Sequence, residues 1–431
     1  MPPSLTIIGA GAAGLMAAIA AGRAAHAPGT PRITITALDS ARTLGAKVLV
    51  AGGGRCNVTH HEVTDAAYAG SSRNAIRKVL RAFTVEHTIS FFADLGVTLK
   101  REDTGKLFPT TDRARTILDA LLTAARDADV RLIHPWRVQS IQRLDHGFLI
   151  TSDTGETRTA DRIILATGGR SLPKSGSDGH GHTIARSLGH SITPRVFPAL
   201  VPLTLPKDHF LTTLSGITLP ATLEVRAPTG KKLAAFTNST LFTHFGLSGP
   251  GPLDISRYYT QAKLDDPDAT LIISVLPDHT PESLDAQLLA LGKQSVGRFL
   301  RERLPERLAE AIALHAAVDP ATPGASLSRD ARKALVKSLT QLPLPITGDR
   351  GYTYAEVTAG GVPLAELHLD TMESRVCPGL HLCGEICDVD GRIGGFNFQW
   401  AWASGHVAGT AAAHALVPQV PYPLQAPNPP V

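Results

Sequence analysis

The stretch Ser4–Ala25, SLTIIGAGAAGLMAAIAAGRAA, decides how this chain is read. Leu5 to Ile8 is a short apolar, β-branched run, the pattern of a buried strand. It runs directly into Gly9-Ala10-Gly11-Ala12-Ala13-Gly14, a G-x-G-x-x-G turn, and then into an alanine-rich segment expected to be helical to about Ala25. In such a unit the first glycine permits the tight turn. The second lets the backbone approach a pyrophosphate, and the third lets the helix pack closely on the strand. The helix N-terminus offers free N–H groups and about half a unit of positive charge to phosphates. A second strand, ITITALDS, ends in Asp39, a carboxylate expected to accept hydrogen bonds from a ribose. The alternative is an ordinary glycine turn in an α/β unit; the strand–turn–helix context argues against it.

The chain has 431 residues, enough for two or three domains, with 43% hydrophobic and 19% charged residues. A net charge of +4 over this length permits contact with nucleic acid without arguing for it. The four cysteines, Cys56, Cys377, Cys383 and Cys387, form no C-x-x-C pair, which favours a reduced, cytoplasmic chain over a disulfide framework. The apolar start lacks a basic leader region. No apolar run reaches the length of about 18 residues that a membrane helix needs, so no membrane partner is expected.

Three features point to FAD. After the second strand comes LGAKVLVAGGGRCNVTH, whose Gly52-Gly53-Gly54-Arg55-Cys56-Asn57 suits a loop lying along a cofactor, with backbone N–H groups and Arg55 meeting phosphate or flavin oxygens. Val138 to Ala166 reads as a β-meander, VQSIQRL, FLITS and ETRTA, followed by RIILATGG, which returns the chain to the cofactor at Ala166-Thr167-Gly168-Gly169. Near the other end, PGLHLCGEICDVDGRIGGFNFQWAWASG has a strand, Leu380 to Cys383, then Gly384-Glu385, a second glycine turn at Gly394-Gly395, and a helix expected from about Asn397. A helix N-terminus aimed at the pyrimidine end of a flavin would stabilise the reduced anion. The aromatics would exclude water; the other reading makes them ordinary core of a buried helix.

These residues resemble a known family, the BaiN/YhiN-like NAD(P)/FAD-dependent oxidoreductases, also described as aminoacetone-oxidase-like flavoproteins. The resemblance runs nearly end to end, through IIGAGAAG (Ile7 to Gly14), GGGRCN (Gly52 to Asn57), ATGG (Ala166 to Gly169), LFTHFGLSGP (Leu241 to Pro250), AEVTAGGV (Ala355 to Val362), TMESR (Thr371 to Arg375) and GEICDVDGRIGGFNFQWAWASG (Gly384 to Gly405). It implies an α/β fold: a split FAD-binding Rossmann-like domain with inserted β-barrel and helical subdomains. It also implies an FAD-dependent oxidoreductase that moves a hydride between flavin and an unsaturated substrate, enone or uracil-like, or an amine, with NAD(P)H as the transient donor. Members are associated with enone reduction in bile-acid intermediates, aminoacetone oxidation and dihydrouridine formation in ribosomal RNA. The alternatives are therefore a ribosomal RNA dihydrouridine synthase, or a flavin-bearing RNA or assembly factor without turnover. The partner is a small-molecule substrate or structured RNA. The cofactor-binding set expected is Gly9, Gly11, Ala12, Ala13, Gly14, Asp39, Lys47, Gly53, Gly54, Arg55, Cys56, Asn57, Ala166, Thr167, Gly168, Gly384, Glu385, Gly395, Asn397 and Gln399.

Between these segments, Ala199 to Gly246 is strand-like, Thr270 to Leu276 adds a strand, and Pro281 to Gln341 is amphipathic at helical spacing. The expected divisions are 1–195 and 363–416 for the FAD domain, 196–277 and 346–362 for the β insert, 278–345 for the helices, and 417–431 for a Pro-rich tail. No catalytic acid or base stands out. His244 and Glu385 are polar residues on segments expected to face the flavin, and a structural role is at least as good a reading of each. His180 and His182 have a metal-like spacing without a cluster around them, so no metal is expected. Cys383 and Cys387 are a weak redox pair. Ser71 to Arg81, with Lys100 and Arg101, is the best basic patch, which a plain solvated helix face also explains. There is no second clear G-x-G-x-x-G for NAD(P)H.

Overall fold

Strand β1 (Ser4–Ile8) lies inside a parallel sheet, which is why its Leu5, Ile7 and Ile8 are all buried rather than alternating. On one side it pairs with β2 (Thr34–Leu38), Leu5 opposite Ile35, and beyond that lies Val130–Ile133. On the other side it pairs with Arg162–Leu165, and that strand pairs with Leu380–Leu382. Two short antiparallel strands, Glu373–Ser374 and Leu367–His368, extend this edge to give seven strands. The strand from Leu380 comes from the far end of the chain, so the sheet closes the split domain. A meander of Val138–Arg143, Phe148–Ser152 and Thr157–Ala160 leads into Arg162–Leu165, as the turn residues predict.

In this computed structural model, which describes residues 2–26 and 32–417, the chain forms two compact units. The first comprises residues 1–169, 175–194 and 360–431, the second residues 170–174 and 195–359. The expected Pro-rich tail lies, from residue 418 on, outside the described residues.

In the first unit, helix α1 (Ala12–Ala25) packs along the C-terminal helix, Phe396–His414. This contact explains the small-residue run after the aromatics. A Cβ on Gly405 would lie 2.5 Å from the Ala13 carbonyl oxygen, and one on Gly409 would lie 2.1 Å from that of Ala17. Only bare backbone permits so close a crossing.

The second unit is a seven-stranded antiparallel sheet in the order Leu342–Leu344, Thr270–Ser274, Thr218–Arg226, Lys232–Thr243, Gly246–Ser248, Leu203–Thr204, Gly348–Asp349. Laid flat, six spacings of about 4.8 Å would separate the edges by about 29 Å. Yet the two edge strands are joined by only three residues, which reach at most about 14 Å. The sheet therefore curls, which is the barrel-like character of the insert. Its core, with Leu223, Phe242 and Leu271, is closed by Ile255 and Tyr259 of the helix Pro250–Asp265 and by Leu335 and Leu339 of Arg329–Thr340. The strand pattern does not anticipate the helix Pro250–Asp265. Pro250 begins it, and Pro is well placed in a first helical turn.

Candidate functional site

The candidate site collects at the C-terminal ends of the parallel strands, where an open α/β sheet offers its crevice. The turn after β1 is rigidly built. Gly9 donates to the Leu38 carbonyl at 2.7 Å, and the Asp39 carboxylate accepts from the amides of Ala10 at 2.7 Å and Ala41 at 2.8 Å. Asp39 thus holds the turn itself, a duty the ribose expectation did not include. Gly9 has a φ of +98°, and a Cβ there would lie 2.5 Å from the Ala166 carbonyl oxygen. Gly14 is pressed against Gly9, its Cβ position 1.8 Å from the Gly9 carbonyl oxygen. Gly11 is different: a Cβ there would meet nothing within 4 Å. It caps α1 with no side-chain hydrogen bond, so the first-turn N–H groups around Ala12 and Ala13 have no side-chain cap.

Other segments gather around this turn. Gly384, with a φ of +78°, lies against Ala13, its Cβ position 2.7 Å from the alanine methyl. Glu385 follows it and pairs with Lys47 of the segment α2 (Ala46–Gly54), joining the two ends of the chain. Within α2 the backbone leaves the helix at Ala51, and Gly52, Gly53 and Gly54 take left-handed angles. A Cβ at Gly53, like one at Gly11, would meet nothing. The Ala166-Thr167-Gly168 bend continues Arg162–Leu165. Thr167 packs on Gly181 at the start of the helix His180–Ser187, and Gly168 sits under Ser177.

Several expected contacts are spent inside the protein instead. The Arg55 guanidinium lies 4.0 Å from the centroid of the Phe108 ring and pairs with Glu102 at 2.6 Å and Asp112 at 3.6 Å, so protein carboxylates already neutralise it. Cys56 is fully buried and its thiol is pushed up to about 12 by burial, so it is inert filling. Asn397 is taken up by Gly391, accepting from its N–H at 2.8 Å and donating to its carbonyl at 2.9 Å. Gln399 turns wholly inward: it accepts from the hydroxyls of Thr59 at 2.7 Å and Thr88 at 2.9 Å and donates to the Phe83 carbonyl at 2.9 Å. The cause is common to the last two. The C-terminal helix is buried on nearly every side, so its polar side chains must find partners in the protein. Gly395 caps this helix with a φ of +93°, and a Cβ there would lie 2.5 Å from the Thr59 backbone.

The aromatic cluster follows the same logic. Trp400 and Trp402 are buried and donate their indole N–H groups to the carbonyls of Gly384 at 3.0 Å and Val58 at 2.9 Å. Phe398 stacks on Trp402, and Phe396 on His60. Cys383 and Cys387 are buried, and burial pushes both thiols up, Cys383 to about 12. His180 sits at a helix start with Nε2 3.0 Å from the Gln139 carbonyl oxygen. In the basic patch, Arg77 pairs with Asp65 at 2.8 Å, Lys78 with Asp370 at 2.6 Å, and Lys100 with Asp112. His244 lies exposed in the tight turn between Lys232–Thr243 and Gly246–Ser248 of the second unit.

A dinucleotide needs uncapped backbone N–H groups, open space in front of them, and polar atoms awaiting partners. The α1 terminus supplies the first, and Gly11 and Gly53 the second. Among the described residues the third is supplied by buried, unpaired oxygens: Asn57 Oδ1, Thr167 Oγ1 and Ser177 Oγ. Buried polar atoms are rarely left so, and these three fit the polar groups of a ligand at this turn. Ser177 escapes a reading from sequence. Its signal is the Gly/Ser-rich run SGSDG, whose Gly176 is packed against Ser40 beside Asp39.

Sheet, glycine turn and split domain define the class: a Rossmann-type dinucleotide-binding fold. The model of the HI0933-like protein Rossmann domain matches residues 3–411, and the chain belongs to that family, the one its motifs resemble. It is 34% identical to a 3-dehydro-bile acid delta(4,6)-reductase of Clostridium scindens, over 94% of this chain and 98% of the relative. It is also 34% identical to a ribosomal RNA dihydrouridine synthase of Escherichia coli, over 92% and 95%. Among solved structures, the quinol fumarate reductase subunit of Escherichia coli shares the fold at a TM-score of 0.50 and 16% identity, covering 96% of this chain and 70% of that one. A 3-ketosteroid delta1-dehydrogenase of Sterolibacterium denitrificans does so at 0.50 and 11%, covering 95% and 99%. No helix among the described residues is long and apolar enough to cross a membrane.

Proposed function

We propose that this chain reduces a carbon–carbon double bond conjugated to a carbonyl, as a cytosolic enzyme using FAD and drawing electrons from NAD(P)H. The observation that carries the reading is what two relatives of different named substrate share. A 3-dehydro steroid with ring unsaturation and a uracil ring both present a polarised C=C to a hydride, and this chain matches each relative over more than nine-tenths of its length.

FAD, when bound, supplies the hydride chemistry. The chain's own residues supply the cradle. The α1 N-terminus, open at Gly11, would meet the pyrophosphate with backbone N–H groups, and the Asp39 carboxylate keeps that turn from relaxing. The Lys47–Glu385 pair fixes the second glycine segment beside Ala13. Asn57, Thr167 and Ser177 offer their unpaired oxygens to the cofactor's polar groups. The C-terminal helix, clamped at Gly395 and Asn397, would hold the reduced flavin's negative charge at its N-terminal end.

Anaerobic reduction by NADPH or NADH, followed by mixing with a conjugated steroid ketone or with uridine-containing RNA, tests the proposal. The protein should be yellow, lose its flavin absorbance with the nicotinamide, and recover it with one of the two acceptors. Failure to retain or take up FAD would overturn the cofactor assignment. A reduced enzyme that reoxidises only in air would overturn the substrate assignment.

A further inference from the structure

The second unit carries two stacked arginines that, among the described residues, no carboxylate answers. The Arg350 guanidinium carbon lies 3.8 Å from the centroid of the Tyr354 ring and 4.4 Å from that of Phe245. On the same loop Tyr352 carries Arg170, 4.8 Å from the ring centroid. The backbone roots this arrangement in the curled sheet. Phe245 directly precedes the strand Gly246–Ser248, Arg350 directly follows Gly348–Asp349, and both strands pair with Leu203–Thr204. Arg350 donates its amide to the Pro202 carbonyl at 3.1 Å, and the turn beyond it closes with Tyr354 donating to Gly351 at 3.0 Å. The nearest carboxylate in sequence, Asp349, is spent on the amide of Gly351 at 2.6 Å.

We propose that Arg350 is the centre of an oxyanion-binding site on this unit, for the phosphate or carboxylate group of a ligand. A guanidinium in contact with two rings has its faces covered and its in-plane N–H edge left to bond, in a fork that matches two oxygens of one anion. Rings and turn hold the long side chain, so little rotamer freedom is lost on binding. Two other arginines show the contrast. Arg55 also stacks on a ring, yet it has Glu102 at 2.6 Å, and Arg162 has Glu373 at 2.9 Å. Among the described residues, Arg350 has the rings and no protein anion. Tyr354 is 52% exposed, so part of its ring remains available to a planar group beside the anion. The proposal does not rest on the flavin reading, because it concerns binding alone.

The test measures binding of three probes to the full-length protein at low salt: a labelled single-stranded ribo-oligonucleotide, the steroid carboxylate cholate, and inorganic phosphate. Each is titrated against wild type, Arg350→Gln, Arg350→Lys and Tyr354→Ala, with flavin content and thermal melting as controls on folding. At least one probe should bind wild type and weaken roughly tenfold or more in Arg350→Gln. Arg350→Lys should fall in between, because it keeps the charge and loses the fork. Tyr354→Ala, at an exposed side chain, is the variant least able to disturb the fold, and it should weaken binding severalfold. The tighter of oligonucleotide and cholate identifies the source of the anion. Wild-type affinity in both Arg350→Gln and Tyr354→Ala, or no binding of any probe to wild type, would overturn the site.

Discussion

Three glycines within six positions do three different jobs. Gly9 and Gly14 are buried against backbone carbonyls, so any side chain there strikes main chain. Gly11 faces open space at an ordinary φ of −78°. The substitutions should therefore separate. Gly11→Val should fold with a melting temperature near that of FAD-stripped wild type and carry little or no FAD, because the branched side chain fills the space the backbone leaves for a pyrophosphate. Gly14→Val should fail earlier, as insoluble or strongly destabilised protein, because its Cβ would lie 1.8 Å from the Gly9 carbonyl oxygen. Flavin released by acid, set beside a melting curve, distinguishes the two. Equal FAD content in Gly11→Val and wild type would remove this turn from the cofactor site. At this scale the turn was legible from sequence, since its meaning lies in local backbone geometry. Several of the polar residues were not. Arg55, Asn397 and Gln399 read as ligand contacts, but Arg55 and Gln399 found protein partners from distant segments, and Asn397 found Gly391 six positions before it.

Among the elements, the pairing of α1 with the C-terminal helix is the join on which the split domain depends. Its tightness reverses an ordinary preference. In an exposed helix, Gly→Ala stabilises by about 1 kcal/mol. At Gly409 the added methyl would lie 2.1 Å from the Ala17 carbonyl oxygen. Gly409→Ala should therefore destabilise, and by about 1–3 kcal/mol, the usual cost of overpacking. Urea titration gives the sign. A stabilised variant would mean that the helices cross with more room than the structure shows. The aromatics ahead of this run belong to the same join. Trp400 and Trp402 read first as a cofactor wall, with ordinary core as the lesser alternative; their indole hydrogen bonds to Gly384 and Val58 are those of core residues.

Over the whole chain, two hydrophobic cores share no residue, one in each unit. Two cores allow two unfolding events, so a single two-state transition is not expected. The uncapped α1 terminus, Gly11 and the unpaired Asn57, Thr167 and Ser177 oxygens all belong to the first unit. Free FAD in excess should therefore raise one calorimetric transition and leave the other in place. At a hundredfold excess over Kd the linkage is about 2.7 kcal/mol. For a unit of this size that corresponds to a shift of roughly 5–10 °C. Two transitions rising together, or neither moving, would contradict a cofactor site confined to the first unit.

The sequence by itself determined the nucleotide-binding start, the meander, the helical run after residue 280 and the family, because turns, periodicity and short motifs are local in the chain. It also left a strand and a glycine turn near the far end that needed a partner. Only the tertiary structure decided which residues stayed free. The same polar side chain is a ligand contact if its neighbourhood is empty and a structural bond if a distant carbonyl or carboxylate arrives first. Asn57 kept an unpaired oxygen, Gln399 did not, and Arg350 met two rings where Arg55 met Glu102. Those outcomes depend on segments up to hundreds of positions apart, and local pattern carries no information about which of them will meet.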